Sequence, residues 1–199
     1  MDGRSIVIVT LFPEFIEMAQ EIAYSILPYH VSDFSKTRQE EIHRSIIGHV
    51  GQLAFLYYLD PTSWREQAAA IPIGTYDNGD FQYRGFYGDV KSSDTRFPPK
   101  LLITETDFLA RQYDIYVDVW IRLDLNQAWI LGWAWKEEVA RAFVDRKMRK
   151  PAYAIPFKEL REPKEALKLP FNLEGASNPA ESASAEIDSL DNRQKGTSV

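Results

Sequence analysis

The sequence predicts an α/β fold in one domain, with helices first and a mixed β-sheet after them. Before residue 60, apolar side chains recur at intervals of three and four, which is the period of a helix. After residue 80 they fall in short runs rich in β-branched and aromatic residues, separated by turn signals. With 199 residues, 45% of them hydrophobic, the chain can bury one sizeable core. We therefore expect a single domain over residues 1–173.

A short apolar strand and a helix open the chain. The segment SIVIVT has the composition of a strand, and Pro13 suits the first turn of a helix. The stretch EFIEMAQEIAYSIL continues with helical spacing, and Pro28 is expected to end it. These residues form an N-terminal helical extension of the domain.

A longer helix is expected next. It begins near Ser35 or Thr37, and Glu40, three residues after Thr37, fits the second half of a capping box. The helix continues through EIHRSIIGHVGQLAFLYYL to about Leu59, where Pro61 marks its end.

Five strands are expected in the second half of the chain, and together they indicate a mixed sheet. In order, they are FQYRG, FYGDVKSS, KLLITE, DIYVDVWIRLDL and AWILGWAW. The dipeptide Arg84-Gly85 is expected to form a hairpin turn between the first two. After them, KEEVARAFVDRKM has helical spacing, and PAYAIPFKEL is expected to add a last strand and turn.

Composition narrows the chemistry and the location of the chain. There are no cysteines, which excludes disulfides, thiolate nucleophiles and thiolate metal ligands. The three histidines match neither a zinc-binding nor a Ser-His-Asp pattern, so catalysis would rely on carboxylates, lysine and a metal ion. No apolar run approaches the roughly 20 residues needed to cross a bilayer, and no signal peptide is apparent. We therefore expect a cytoplasmic protein.

Charge is unevenly distributed along the chain. The net charge is −6, but residues 61–173 sum to +1, while the residues before and after them sum to −4 and −3. The middle section is therefore the part least repelled by phosphate. Residues 174–199 are rich in Ser, Ala, Glu and Asn and contain no aromatic residue, which predicts a disordered tail.

The segment YDNGDFQYRGFYGDVKSS, residues 76–93, carries the candidate chemistry. Because alternate residues of a strand share a face, Asp89 and Lys91 are expected to project to one side, while Val90 points into the core. A carboxylate and an ammonium group would then lie side by side.

A second carboxylate is expected beside this pair. Asp80 lies nine residues before Asp89, and a hairpin between them would bring both carboxylates to one place. Asp77 competes for the same role, and Asp80 is preferred because Phe81 suits the start of a strand.

Two carboxylates on neighbouring strands outline a Mg²⁺ site. Mg²⁺ prefers oxygen ligands and keeps several waters, so Asp80, Asp89 and the backbone carbonyl of Val90 would suffice. Such an ion, for which Mn²⁺ would substitute, lowers the pKa of bound water and polarises phosphate oxygens, as phosphodiester hydrolysis requires. Lys91 would orient that water or neutralise the developing charge.

The pattern of Asp80 followed by the segment DVKSS (89–93) resembles the D…(D/E)xK signature of the PD-(D/E)xK, or restriction-endonuclease-like, nuclease superfamily. The segment GHVGQLAF (48–55) resembles its GxxGE helix, and AWILGWAWKEEV is similar to its later GW strand and short acidic helix. The similarity spans about residues 37–160, with Gly79 where the superfamily has proline. It implies an αβββαβ core with the active site at the edge of a mixed sheet.

The resemblance implies a metal-dependent endonuclease that hydrolyses phosphodiester bonds, with DNA favoured over RNA. It assigns Asp80, Asp89 and Lys91 to catalysis, and Asp80, Asp89 and Val90 to the metal ion. Gln52 occupies the position of the GxxGE acid and either assists at the ion or hydrogen-bonds the backbone of a facing strand. Many members of the superfamily dimerise to cut both strands of DNA, so the resemblance is compatible with a homodimer.

A basic run follows the helix expected at KEEVARAFVDRKM. Arg146, Lys147, Arg149 and Lys150 place four positive charges in five residues. They either contact the phosphates of nucleic acid or form a solvated helix end that complements the helix dipole.

Two other functions are compatible with the sequence. One is a catalytically inactive binding module with the nuclease fold, which Gln52 and the acidic net charge favour. The other is an α/β protein-interaction domain in which DVKSS is accidental; Asp80, Asp89 and Lys91 would then not lie together.

Overall fold

The structure, a computed structural model, describes residues 5–26, 37–69, 79–97 and 99–172. Its helices are α1 (Pro13–Ile26), α2 (Arg38–Leu59), α3 (Trp64–Ala69), α4 (Glu105–Ala110), α5 (Lys136–Ala140) and α6 (Pro163–Ala166). Its strands are β1 (Val7–Thr10), β2 (Phe81–Tyr83), β3 (Phe86–Ser93), β4 (Leu101–Thr104), β5 (Ile115–Arg122), β6 (Gln127–Trp135), β7 (Phe143–Asp145) and β8 (Ala152–Ile155).

A five-stranded mixed sheet forms the centre of the fold, in the order β1-β6-β5-β3-β2. Only the β3–β5 pair is parallel, and the other three pairs are antiparallel. The central strand β5 is buried on both faces: Val117 belongs to the apolar cluster of α2, and Tyr116, on the other face, belongs to a second cluster with Leu101 of β4. The predicted α/β class is confirmed.

Helix α2 covers one face of this sheet and supplies much of the core. Its start is fixed by a capping box, in which the Glu40 N–H donates to the Thr37 hydroxyl and the Thr37 N–H donates to the Glu40 carboxylate. Val50 and Leu53 are fully buried and belong to one apolar cluster with Val90 of β3. The predicted capping and the end at Leu59 are both confirmed.

The second half of the chain departs from the sequence prediction in two ways. β4 does not join the central sheet but forms a separate three-stranded antiparallel sheet, in the order β4-β8-β7. The helix expected over KEEVARAFVDRKM ends at Ala140 and gives way to β7. Phe143 and Val144 pair there with Ala154 and Tyr153 of β8, and this pairing overrides the helical spacing of the segment.

Three expectations fall on parts of the chain outside the described residues: the helix end at Pro28, the competing carboxylate Asp77 and the tail at 174–199. Within the described ranges, no helix is both long enough and apolar enough to cross a membrane.

Two glycines of α2 test how closely this helix approaches the sheet. A Cβ on Gly51 would lie 2.7 Å from the Cβ of Ser92 and would also overlap its hydroxyl, whereas a Cβ on Gly48 would meet nothing within 4 Å. We expect Gly51→Ala to lower the free energy of unfolding by about 1–3 kcal/mol through overpacking. Gly48→Ala should instead raise it by about 0.5–1 kcal/mol through helix propensity. Urea denaturation followed by circular dichroism measures both, and equal effects of the two substitutions would contradict the packing.

Candidate functional site

A tight hairpin sets the position of the candidate site. Arg84 and Gly85, between β2 and β3, both have left-handed backbone conformations, with φ of 52° and 82°. Such a two-residue turn matches the twist of the flanking strands and fixes their register. Phe81 pairs with Gly88, so the next residues outward, Asp80 and Asp89, lie opposite each other.

The backbone and side chain of Asp80 are held by β3. Its N–H donates to the Gly88 carbonyl at 2.8 Å, and its carboxylate accepts a hydrogen bond from the Val90 N–H at 2.7 Å. The preceding Gly79 has a φ of +99°, and a Cβ there would lie 2.9 Å from the Gly88 carbonyl oxygen. The local geometry therefore favours glycine at position 79.

Asp89 and Lys91 occupy the face of β3 opposite to α2, as the alternation of the strand predicted. Asp89 is 4% exposed, and the Lys91 ammonium lies 2.8 Å from one of its carboxylate oxygens. Val90, between them, is buried against α2. The structure thus brings the three candidate catalytic side chains, Asp80, Asp89 and Lys91, into one cluster.

The electrostatics of this cluster reflect two acids that share a confined space. Burial, followed by the negative charge of Asp89, raises the pKa of Asp80 to about 7. Burial also disfavours the Lys91 ammonium, but the carboxylates of Asp89 and Asp80 outweigh this effect and raise the pKa of Lys91. Lys91 is therefore a cation at neutral pH, whereas Asp80 is only partly ionised there.

Gln52 lies next to the cluster but uses its amide to hold the backbone. It is 2% exposed on α2, and its side-chain nitrogen donates to the Asp80 carbonyl at 2.7 Å. Its oxygen lies 3.1 Å from a ring nitrogen of His49. The sequence left two roles open for Gln52, at the metal ion or on facing backbone. The hydrogen bond to the Asp80 carbonyl corresponds to the second role.

Two residues beside the cluster, Tyr116 and Asp107, belong to no recognisable sequence motif. Tyr116 of β5 lies opposite Asp89 in the parallel register, and its buried hydroxyl has no hydrogen-bond partner among the described residues. Burial and the nearby Asp89 raise the pKa of Tyr116. Asp107 of α4 contributes to the raised pKa of Lys91. Tyr116 could have been predicted as a site residue only from its place in the strand that pairs with the DVKSS strand. That pairing is known only once the order of the strands in the sheet is known.

Asp118 is a third carboxyl group on the same face of the sheet. It lies opposite Lys91 across β3 and β5, is 2% exposed, and has one carboxyl oxygen without a hydrogen-bond partner within the described ranges. Burial raises the pKa of Asp118 to about 8, so this side chain is mostly protonated at neutral pH. A neutral carboxyl group beside the cluster adds no negative charge to it.

The residues present fit a divalent cation in part. Asp80 and Asp89 provide two carboxylates whose mutual repulsion a cation would relieve. The side chain of Val90 points away, so only its carbonyl remains available as a protein ligand. In the part of the chain that the structure describes, no group of three or more Asp, Glu or His side chains is arranged to hold a metal ion. Waters would have to supply most of the coordination.

The basic run lies outside this cluster, in the turn between β7 and β8 rather than after a helix. Arg146, Lys147 and Arg149 are exposed there, and Lys150 is half-buried. The interpretation of the run as a helix end is wrong, because α5 ends before it at Ala140.

Comparison with known proteins gives no relative. The chain matches no protein-family model, no curated protein and no solved structure. A function must therefore be argued from the geometry of the cluster itself.

The role of Gln52 can be tested by removing its donor. In Gln52→Glu, the carboxylate cannot donate to the Asp80 carbonyl, so we expect the free energy of unfolding to fall by about 1–3 kcal/mol. Gln82→Glu, at an exposed position of β2, is the matched control and should change it little. Thermal denaturation of both variants makes the measurement. Unchanged stability together with tighter Mg²⁺ binding in Gln52→Glu would instead indicate a metal ligand.

The protonated state of Asp118 predicts a pH dependence of stability. The folded-state pKa of about 8 lies above the usual 3.8, so the folded protein keeps a proton that the unfolded chain releases, and stability falls as pH rises through this window. Asp118→Asn removes this dependence. We compare the free energy of unfolding of the variant with that of the original chain at each pH. The difference, variant minus original, should rise by about 1–3 kcal/mol from pH 5.5 to pH 8.5.

Asp124→Asn is the control for this experiment. Its pKa is lowered by hydrogen bonds from Arg122, so Asp124 is ionised throughout the same pH range in both states. Parallel pH profiles for Asp118→Asn and the original chain would contradict a protonated Asp118.

Proposed function

We propose that this chain is a metal-dependent endonuclease that hydrolyses phosphodiester bonds, with DNA as the expected substrate. The observation that carries the proposal is the convergence of Asp80, Asp89 and Lys91 on one face of the sheet, where Lys91 lies 2.8 Å from Asp89. Structural ion pairs are common, but two adjacent acids, one buried and the other with a raised pKa, beside a lysine are typical of a catalytic site.

Asp80, Asp89 and the Val90 carbonyl would hold Mg²⁺, or Mn²⁺ in its place. When bound, such an ion activates a water molecule and polarises the phosphate oxygens. The site contributes exclusively oxygen ligands, which suits these hard cations. The remaining positions would be filled by water and by the substrate.

The protein's own groups have separate roles in the proposed reaction. Lys91 supplies a fixed positive charge that stabilises the negative charge developing on the phosphate. Gln52 and the Val90 N–H fix Asp80 from two sides, so its carboxylate is held in place before substrate binds. Tyr116 forms a buried wall beside Asp89 and limits the access of bulk water.

A second candidate is a binding module that has this fold but no catalytic activity. Two observations favour it: the Gln52 amide nitrogen donates to the Asp80 carbonyl, and among the described residues no three Asp, Glu or His side chains are arranged to hold a metal ion. Under this alternative, nucleic acid would be bound but not cut.

The proposal is tested by incubating the protein with supercoiled plasmid, linear duplex and single-stranded DNA and RNA, with Mg²⁺ or Mn²⁺. We expect cleavage, and a loss of at least about 100-fold in rate in Asp89→Asn and Lys91→Met, because the first removes a proposed metal ligand and the second removes the positive charge at the reacting phosphate. Asp124→Asn and Lys158→Met, both at exposed positions, are charge-matched controls and should keep the rate.

Thermal denaturation with and without the metal provides an independent readout. Mg²⁺ or Mn²⁺ should raise the Tm of the original chain and of both control variants, because a ligand that binds only the folded state stabilises it. Asp89→Asn should lose this rise. Intact substrates throughout, with no effect of the metal on Tm, would favour the binding module.

A further inference from the structure

Positive charge in this chain is concentrated in one hairpin. We call residues 141–155 the basic hairpin: they comprise β7, β8, the turn between them and the two residues before β7. Residues 141–150 carry five basic side chains and one acidic side chain. This net charge of +4 stands in a chain of net charge −6, so all other residues together sum to −10. An anionic partner would therefore be attracted to the basic hairpin rather than to the chain as a whole.

An unusually exposed aromatic ring accompanies these charges. Phe143 of β7 is 73% exposed, and the neighbouring Met148 is 39% exposed. Phe143 pairs through its backbone with Ala154, and its ring is available on the surface. The hairpin therefore carries both exposed cationic side chains and an exposed aromatic ring. This is the combination that binds single-stranded nucleic acid: the cations contact phosphates, and the ring stacks on a base.

The basic hairpin borders the candidate active site through α4. The Glu105 N–H donates to the Pro151 carbonyl at 2.9 Å, and the Arg146 guanidinium lies 3.9 Å from the Glu105 carboxylate. Further along the same helix, the ring of Phe108 lies 6.3 Å from the ring of Tyr116, the residue opposite Asp89. One six-residue helix therefore connects the hairpin to the catalytic face.

We propose that the basic hairpin is a binding site for single-stranded nucleic acid, with an unpaired base stacked on Phe143 and phosphates contacted by Arg146, Lys147 and Arg149. The base must have one face uncovered, as a base in a single strand can, because both faces of a base inside a duplex are covered by the adjacent stacked bases. This inference deepens the proposed function: the bound strand would be the one that continues from the cleavage site.

Binding is measured with the full chain in EDTA, so that no metal-dependent cleavage interferes. Fluorescein-labelled 12-nucleotide DNA and RNA strands and a blunt DNA duplex are titrated by fluorescence anisotropy. We expect Phe143→Ala to weaken binding of the single strands roughly 5- to 150-fold, the loss of one stacked base, and to change duplex binding little. Phe171→Ala is the matched control, since Phe171 is 74% exposed on another part of the fold, and it should bind normally.

The salt dependence of binding tests the cationic contribution. Log affinity falls as log salt concentration rises, and each phosphate contact to a single strand adds about 0.7 to the magnitude of this negative slope. The double variant Arg146→Ala/Lys147→Ala should therefore lower the magnitude of that slope by about 1.4. The double variant Lys158→Ala/Lys168→Ala removes the same charge at exposed positions elsewhere and should leave the slope unchanged.

The outcomes separate this inference from the proposed function. Normal single-strand binding by Phe143→Ala, or equal loss in both double variants, overturns the hairpin site even if the protein cuts DNA. Selective loss supports it even if no substrate is cut. Binding of anionic lipid vesicles with no binding of either single strand also overturns it.

Discussion

The register of the β2–β3 hairpin is the constraint on which the candidate site depends. The left-handed Arg84-Gly85 turn pairs Phe81 with Gly88, and this register places Asp80 across from Asp89. A slip of one residue would turn the side chains of a strand to its other face and separate the two carboxylates. Because the turn has only two residues, such a slip would require a different turn geometry.

Helix α2 secures the same arrangement from the other side of the sheet. Its apolar residues bury the sheet face, and Gln52 donates a hydrogen bond to the Asp80 carbonyl where the chain enters β2. Gln52, whose position resembles that of the acid in the GxxGE pattern, therefore holds the backbone of Asp80. Core packing and site geometry are linked in this helix, because Gly51 allows the close approach to Ser92 and Gln52 is the next residue.

The opposite face of the sheet concentrates groups that are costly to bury. Asp89 and Asp118 are both almost completely inaccessible, and Lys91 is only partly exposed. A fold selected for stability alone would replace such groups with apolar residues, since burying a charge or an unpaired carboxyl is unfavourable. Their presence on adjoining strands is the main physical argument for a function at this face. The basic hairpin, in contrast, has a net charge of +4 over residues 141–150, so the negative charge of the whole chain is a poor guide to possible partners.

The sequence by itself determined the elements that depend on local patterns: helices α1 and α2, the capping box at Thr37, the strands of the central sheet and the hairpin turn. Strand alternation was also enough to place Asp89 and Lys91 on one face. Only the tertiary structure decided that β4 and β8 form a second sheet, that the helix after β6 stops at Ala140, and that Tyr116 and Asp118 adjoin the cluster. These features depend on which strands pair across long stretches of chain, and no local period of side chains encodes that choice.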